Sequence, residues 1–237
     1  MTFSGKTAIV TGGTGALGKV CVERLFDMGL NIGIPITSEK SLGRVPDRVA
    51  QNPARFLTRT ADLTVETHVD SFVGGVLDKF GRVDYLVNTA GGYLGGNTID
   101  EISVDEWEGI MNLNLKTAFL TCRALLRIMR GQRFGRIVNI TAMAALSPGV
   151  KKGPYAISKR GVITLTETIA EETKGSGITA NAIAPSIIVT RSNQDSMPGA
   201  DFSKWVTPNE IAELVLYLCS DQAKSISGNV IKIYGAV

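Results

Sequence analysis

Only one histidine, His68, occurs among 237 residues. A serine–histidine–acid triad would have to recruit it, and it lies in a polar helical stretch that reads as surface. The three cysteines, Cys21, Cys122 and Cys219, are odd in number, far apart and in apolar surroundings. That pattern argues against a disulfide framework or a metal site and leads us to expect a reducing, cytoplasmic setting. No apolar run reaches the ~18 residues that a membrane helix requires, so no membrane partner is expected. The first residues run straight into a strand-like segment, so no signal peptide is expected. Lys plus Arg number 25 against 22 Asp plus Glu, a net charge of +3. The excess is scattered, which argues against a nucleic-acid partner. Its densest stretch, residues 127–133, reads as a solvated helix end, where cations suit the dipole.

What is present is an alternation. Hydrophobic residues make up 44% of the chain, enough for a sizeable core in one α/β domain. Strand-like apolar runs fall at residues 6–10, 30–36, 83–87, 136–140, 178–184 and 230–234. Helical periodicity covers residues 15–28, 66–80, 104–130, 155–174 and 208–220. Strand followed by helix, repeated, predicts an α/β fold: a single Rossmann-like domain with a doubly wound, mostly parallel sheet and helices on both faces. Residues 186–207 lack clear periodicity and are rich in Ser, Asn, Pro and Gly, which suggests a mobile lid over a site.

The first strand leads into Thr11-Gly12-Gly13-Thr14-Gly15-Ala16-Leu17-Gly18. Glycines there let the backbone approach a pyrophosphate, and the following helix offers free N–H groups. No Gly-Lys-Ser/Thr follows, which disfavours a kinase-type phosphate loop. Three other segments sit at strand ends: Ala61-Asp62-Leu63, residues 88–92 beginning Asn88-Thr89-Ala90-Gly91, and residues 185–190 beginning Pro185-Ser186. Asp62 is placed to accept from an adenine amino group, or simply to cap the next turn. Small residues at 90–92 leave room for a ribose or adenine, or simply turn the chain.

Tyr155 and Lys159 stand four apart on a helix that Pro154 opens, which puts both on one face. A phenol titrates near 10, so ionising it near neutrality costs roughly 4 kcal/mol. A lysine ammonium held close would offset part of that and yield a general acid/base.

Together these motifs resemble the short-chain dehydrogenase/reductase family over essentially the whole chain. The resemblance rests on T-G-x-x-x-A-x-G, Asp62-Leu63, N-T-A-G at 88–91, Asn114, Tyr155-x-x-x-Lys159 and Pro185-Ser186-x-x-x-Thr190. It implies hydride transfer between a nicotinamide and a small carbonyl or imine substrate. By that resemblance, Tyr155 is the proton donor, and Lys159 binds the ribose and lowers the tyrosine's pKa. Asn114 holds a water that relays protons, while Ile188 and Thr190 hold the carboxamide. Asn112, half a helical turn from Asn114, is expected on another face.

The pattern breaks at Ala142, where the family usually carries a serine thirteen residues before the tyrosine. An alanine cannot donate to a carbonyl oxygen. Strand alternation turns Thr141 away, and Ser147 is the other hydroxyl in reach along the chain. Quinonoid dihydropteridine reductases tolerate alanine there. Residues 12–18, residues 90–97 around Tyr93, and residues 196–205 resemble theirs, so pterin reduction is the alternative reading. A dinucleotide-binding regulator that has lost catalysis is a third. Ile36 stands where NAD-binding relatives carry an acid, and Thr37, Ser38 and Lys40 are placed to receive a phosphate. The cofactor is therefore NADP or NAD, with the balance towards NADP. Met143 and Met197 are candidate substrate contacts, though core or lid packing explains them as well. Trp205 is expected to anchor the lid, and Trp107 to pack the long helix. Apolar faces on residues 104–130 and 155–172 resemble the family's dimer-forming helices, so a homodimer or homotetramer is expected.

Overall fold

A computed structural model of the protein describes residues 3–237. Seven strands form one sheet: β1 Thr7–Thr11, β2 Asn31–Ile36, β3 Phe56–Thr60, β4 Tyr85–Asn88, β5 Gly135–Ile140, β6 Ile178–Pro185 and β7 Val230–Ile233. Their order is β3-β2-β1-β4-β5-β6-β7, and every pairing is parallel. The helices are α1 Ala16–Asp27, α2 Asp47–Ala50, α3 Glu66–Phe80, α4 Val104–Met111, α5 Thr117–Gln132, α6 Gly153–Glu172, α7 Arg191–Ser196 and α8 Pro208–Cys219.

Side-chain alternation sorts the core into two layers. Ala8 and Val10 of β1, Tyr85 and Val87 of β4, and Val138 and Ile140 of β5 pack with residues of α1 and α8. Ile9, Leu86 and Ile137, one residue out of phase, pack against α3, α5 and α6. Both faces of the sheet are therefore covered, which is why the strands read as continuous apolar runs. The chain winds outward from β1 in one direction through β2 and β3, and in the other through β4 to β7. The reversal between β1 and β4 opens a crevice beyond their carboxyl ends, the place where such sheets bind ligands.

Three sequence expectations are corrected. The helix anticipated over residues 104–130 is interrupted at Asn112–Lys116 by a π-helical stretch, a local widening common at functional sites. Residues 56–60, which show no clear apolar run, form the edge strand β3; its pairing with β2 leaves one side half-exposed, so it needs no continuous apolar run. Trp107, expected to pack the long helix, is 38% exposed and so packs it only in part. Trp205 is buried, as expected of an anchor, with its ring 4.7 Å from that of Phe202.

Candidate active site

The loop after β1 shows why glycine recurs there. Gly12 has φ +65°, and a Cβ on it would stand 2.8 Å from Ala90 N. A Cβ on Gly18 would collide with the Gly12 carbonyl oxygen. The loop and α1 are thus pressed together and against the end of β4. Gly15, the residue before α1, supplies no side-chain cap, and the first turn holds no acid. By contrast, α4 and α8 both begin with full capping boxes, Ser103 with Glu106 and Thr207 with Glu210. The bare first turn of α1, with Leu17 on the cavity wall, leaves backbone N–H groups available to an anion. These residues fit a dinucleotide's pyrophosphate.

Asn88 lies beneath this site rather than in it, which corrects its assignment as a direct cofactor ligand. Its Oδ1 accepts from Thr11 Oγ1 (3.1 Å) and Thr121 Oγ1 (3.0 Å), and its Nδ2 donates to Asn139 Oδ1 (2.8 Å). Asn139 Nδ2 in turn donates to Thr166 Oγ1 at 2.9 Å. Thr11 Oγ1 also accepts from Ala90 N at 3.2 Å. A buried chain of hydrogen bonds therefore runs from the glycine loop through β4 and β5 to α6. A shift of one member leaves the next unpaired, so the network fixes the relative height of these elements.

Asp62 closes a turn: its Oδ1 accepts from Thr64 N at 2.9 Å and Thr64 Oγ1 at 2.7 Å. The Thr64 hydroxyl first, then its amide, holds the Asp62 carboxyl below its ordinary value. His68 is exposed and accepts from Asp62 N at 3.4 Å; it takes no part in the cavity. Leu63 packs partly buried beside the α3 layer. Ile36 is buried in the core, so its lack of charge does not bear on ribose recognition. Thr37 is the exposed residue at that strand end, its hydroxyl 3.5 Å from that of Ser41, and Ser38 Oγ is 3.4 Å from Ser41.

A cavity of about 570 Å³ opens at the crevice. Tyr155, Lys159, Tyr93, Gly91, Ala142, Met143, Pro185, Ile188 and Met197 all line it. Asn114, in the π-helical stretch, is buried behind the Gly91–Gly92 wall: Oδ1 accepts from Gly92 N at 2.9 Å, and Nδ2 donates to Gly92 O at 3.1 Å and Ser158 Oγ at 2.9 Å. Asn112 is exposed, as its spacing predicts. A Cβ on Gly91 would lie 2.7 Å from Asn114 Oδ1 and 2.9 Å from Lys159 Nζ. Only a glycine lets the amide and the ammonium converge there.

Lys159 is buried, and its Nζ donates to Ile140 O at 3.1 Å. Burial pushes its pKa down from 10.5 to about 8. Burial, and then neighbouring Tyr93, push the Tyr155 phenol up from 10.0 to about 12. The sequence led us to expect the ammonium to lower the phenol. Burial and Tyr93 instead set the direction at the phenol, while Lys159 donates to a main-chain carbonyl. Tyr93 meets Tyr155 edge to face, ring centroids 5.0 Å apart, although Tyr93 itself is 62% exposed.

Ala142 faces the cavity without a polar atom to offer. Thr141 also touches it, but its hydroxyl donates to Lys159 O at 2.8 Å. Ser147 is exposed and outside the wall. Thr190 caps α7 by accepting from Asn193 N at 3.2 Å, and Ile188 O accepts from Asn193 Nδ2 at 2.8 Å. Ser186 of the Pro185-Ser186 motif also lines the cavity, as do Asn193, Ser196 and Lys152, which did not stand out in the sequence. Of these only Lys152 carried a signal, its place three residues before Tyr155, where it precedes the first turn of α6.

Comparison with known proteins gives this arrangement its lineage. Residues 6–200 match the family model described as short chain dehydrogenase. The chain belongs to that family. It is 30% identical to the D-beta-hydroxybutyrate dehydrogenase of Rhizobium meliloti (strain 1021), covering 97% of each protein. Among solved structures, levodione reductase superposes with a TM-score of 0.90 at 29% identity, covering 98% of this chain and 97% of that one. NAD+-bound xylitol dehydrogenase superposes with a TM-score of 0.91 at 25% identity, covering 99% and 100%. This member of the short-chain dehydrogenase family is an NAD(P)-dependent oxidoreductase, and its substrate is a small molecule.

Proposed function

We propose that the protein interconverts a small carbonyl compound and its alcohol, with Tyr155 exchanging the proton at the substrate oxygen. The observation that carries this is a single cavity wall holding the Tyr155 hydroxyl, the buried Lys159 and the bare start of α1. When bound, the nicotinamide supplies or accepts the hydride. Tyr155, held protonated at neutral pH, is the proton donor in the reducing direction. Lys159, still mostly charged at neutral pH, attracts the ribose hydroxyls and steadies a phenolate. Asn114 locks the 90–92 loop to α6 and keeps a lone pair of Oδ1 for a water on the proton path. Gly12, Gly15, Gly18, Ala90 and Gly91 would shape the dinucleotide groove, with Leu17 and Pro185 on its wall and Ile188 and Thr190 holding the carboxamide. Asp62 and Leu63 would border the adenine.

Residues 186–207 act as a lid over the single domain. Its base is fixed by the Ile188–Val206 bridge and by buried Trp205, and its span brings Asn193, Ser196 and Met197 to the cavity. The relatives' names cover several substrates, so no one of them transfers to this chain. NADP is the preferred dinucleotide, because the strand end at Thr37 presents a cluster of three hydroxyls. Among the described residues no helix is long and apolar enough to cross a membrane; the reading of a cytoplasmic setting rests on the three unpaired, buried cysteines. Exposed Leu113, Phe119 and Ile157 on the α4–α5 and α6 faces support a homodimer or a homotetramer. One observation favours a second reading, reduction of a quinonoid dihydropterin: Ala142 leaves the wall without the usual hydroxyl.

Replacing Tyr155 by Phe tests the proposal. Turnover should fall by about 10²–10⁴-fold, the usual worth of a positioned proton donor. Dinucleotide affinity should stay within about twofold, because the hydroxyl leaves the groove unaltered. Turnover close to wild type would remove Tyr155 from the chemistry.

A further inference from the structure

The cavity wall spends nearly all of its polar capacity on itself. Thr89 donates to Thr11 O at 2.6 Å, Thr141 to Lys159 O at 2.8 Å, Ser186 to Tyr234 O at 2.7 Å and Ser196 to Asn193 O at 3.0 Å. Among the described residues no carboxylate lines it, and most of the remaining wall is aliphatic or methionine. Against that background Lys152 stands out. Lys152 lines the cavity as an exposed residue, and its ammonium makes no hydrogen bond or ion pair with any described residue. Its stem runs past Gly149, where a Cβ would meet Lys152 Cδ at 3.6 Å and Nζ at 3.9 Å.

The backbone holds Lys152 there at a cost. Lys151 adopts φ +61°, the left-handed region that a lysine occupies only when its surroundings enforce it. The enforcing contact is Gly96 N, which donates to Lys151 O at 2.9 Å. A Cβ on Gly95 would stand 2.9 Å from the same oxygen. The loop bearing Tyr93 therefore clamps the loop bearing Lys152, and Lys152 begins the helix that carries Tyr155.

We propose that Lys152 is the anion-recognising end of the substrate cavity, and that the carbonyl compound acted on bears a carboxylate. This rests on the reduction reading above and narrows it to oxo acids and hydroxy acids. The reacting oxygen lies at Tyr155, the carboxylate at Lys152, and the apolar wall holds the carbon chain between them. A charge-assisted contact at the mouth of a mostly apolar cavity separates an acid from its neutral ester, because the ester leaves the ammonium without a partner.

The test uses the full chain saturated with oxidised dinucleotide. Levulinate and ethyl levulinate are titrated in by calorimetry, for the wild type, Lys152→Ala and Lys152→Arg. The acid should bind at least about tenfold tighter than the ester, an increment within reach of one charge-assisted hydrogen bond. Lys152→Ala should erase that preference, Lys152→Arg should retain most of it, and added salt should shrink it. An acid that binds no better than the ester, or a preference that survives Lys152→Ala, overturns the proposal. Reduction of ethyl levulinate by a wild type that does not favour the acid would sink the anion site and leave the carbonyl chemistry standing. A chain that binds no dinucleotide at all would sink both.

Discussion

At the scale of single residues, burial sets the charge states in the site. Burial pushes the Lys159 ammonium down from 10.5 to about 8, and the Ile140 carbonyl is its one hydrogen-bond partner among the described residues. The sign of the resulting pH dependence follows from linkage. Below about pH 8 the lysine is charged in both folded and unfolded chains, and folding bears the whole cost of burying it. Between about 8 and 10.5 the folded chain releases its proton first, so this contribution to stability rises with pH. Tyr155 works the other way: from 10.0 to about 12 the unfolded chain loses its proton first, and stability falls. Lys159→Met should therefore raise stability at pH 7 by on the order of 1 kcal/mol while abolishing turnover, since it removes a buried charge at the expense of one hydrogen bond. The gain should narrow as pH climbs from 8 towards 10.5, read by denaturant unfolding at each pH. A variant less stable than wild type at pH 7, or a gain independent of pH, would show that the folded chain bears no desolvation cost at this lysine. The pairing of Tyr155 with Lys159 was legible in the sequence, because spacing on a helix is local information. Their charge states were not, because desolvation depends on β5 and the 90–93 loop, which arrive from elsewhere in the chain.

At the scale of elements, the buried polar chain through Asn88 and Asn139 joins β1, β4, β5, α5 and α6. Its members read in the sequence as isolated polar residues at strand ends, and Asn88 was assigned to the cofactor. Nothing local distinguishes an asparagine that meets a ligand from one that meets three other strands and helices. Asn88→Ala leaves the Thr11 hydroxyl without its acceptor and Asn139 Oδ1 with only the weak Cys122 thiol as donor, while the Thr121 hydroxyl keeps the Thr117 carbonyl. Buried groups orphaned in this way cost about 1–3 kcal/mol each, so the variant should lose at least about 2 kcal/mol in chemical denaturation. A loss under about 0.5 kcal/mol would show that the network does not couple these elements. The rest of the elements were legible to the extent that each carries its own periodicity. The helix Glu66–Phe80 was readable to the residue, since Gly81, at φ +75°, ends it unmistakably. Strand β3 was not, because an edge strand with one half-exposed side needs no apolar run. The π-helical break at Asn112–Lys116 was not, because it preserves helical hydrophobicity while rotating Asn114 inward.

At the scale of the molecule, the order of strands creates the binding crevice, and ligand binding must feed back on the stability of the whole sheet. The glycine loop, the β4 end, α6 and the lid all border the crevice, so a dinucleotide that occupies it bridges both halves of the doubly wound sheet. A ligand bound only by the folded state stabilises it by about 2.7 kcal/mol at one hundred times its dissociation constant. In a domain of this size that is a rise in Tm of roughly 5–10 °C. The comparison of two dinucleotides at equal concentration therefore reports their relative affinities without any substrate. Exposed Thr37 and the hydroxyls of Ser38 and Ser41 close the end of β2. In the turn Glu39–Arg44, Lys40 and Arg44 outnumber the single carboxylate of Glu39. That surface suits a 2′-phosphate better than a bare 2′-hydroxyl, which is usually held by an acid. NADPH should raise Tm by several degrees more than NADH. Thr37→Asp should reverse the order by setting a fixed negative charge against the phosphate. A larger shift with NADH in the wild type would assign the chain to NAD and leave the hydroxyl cluster as the local cap of a turn.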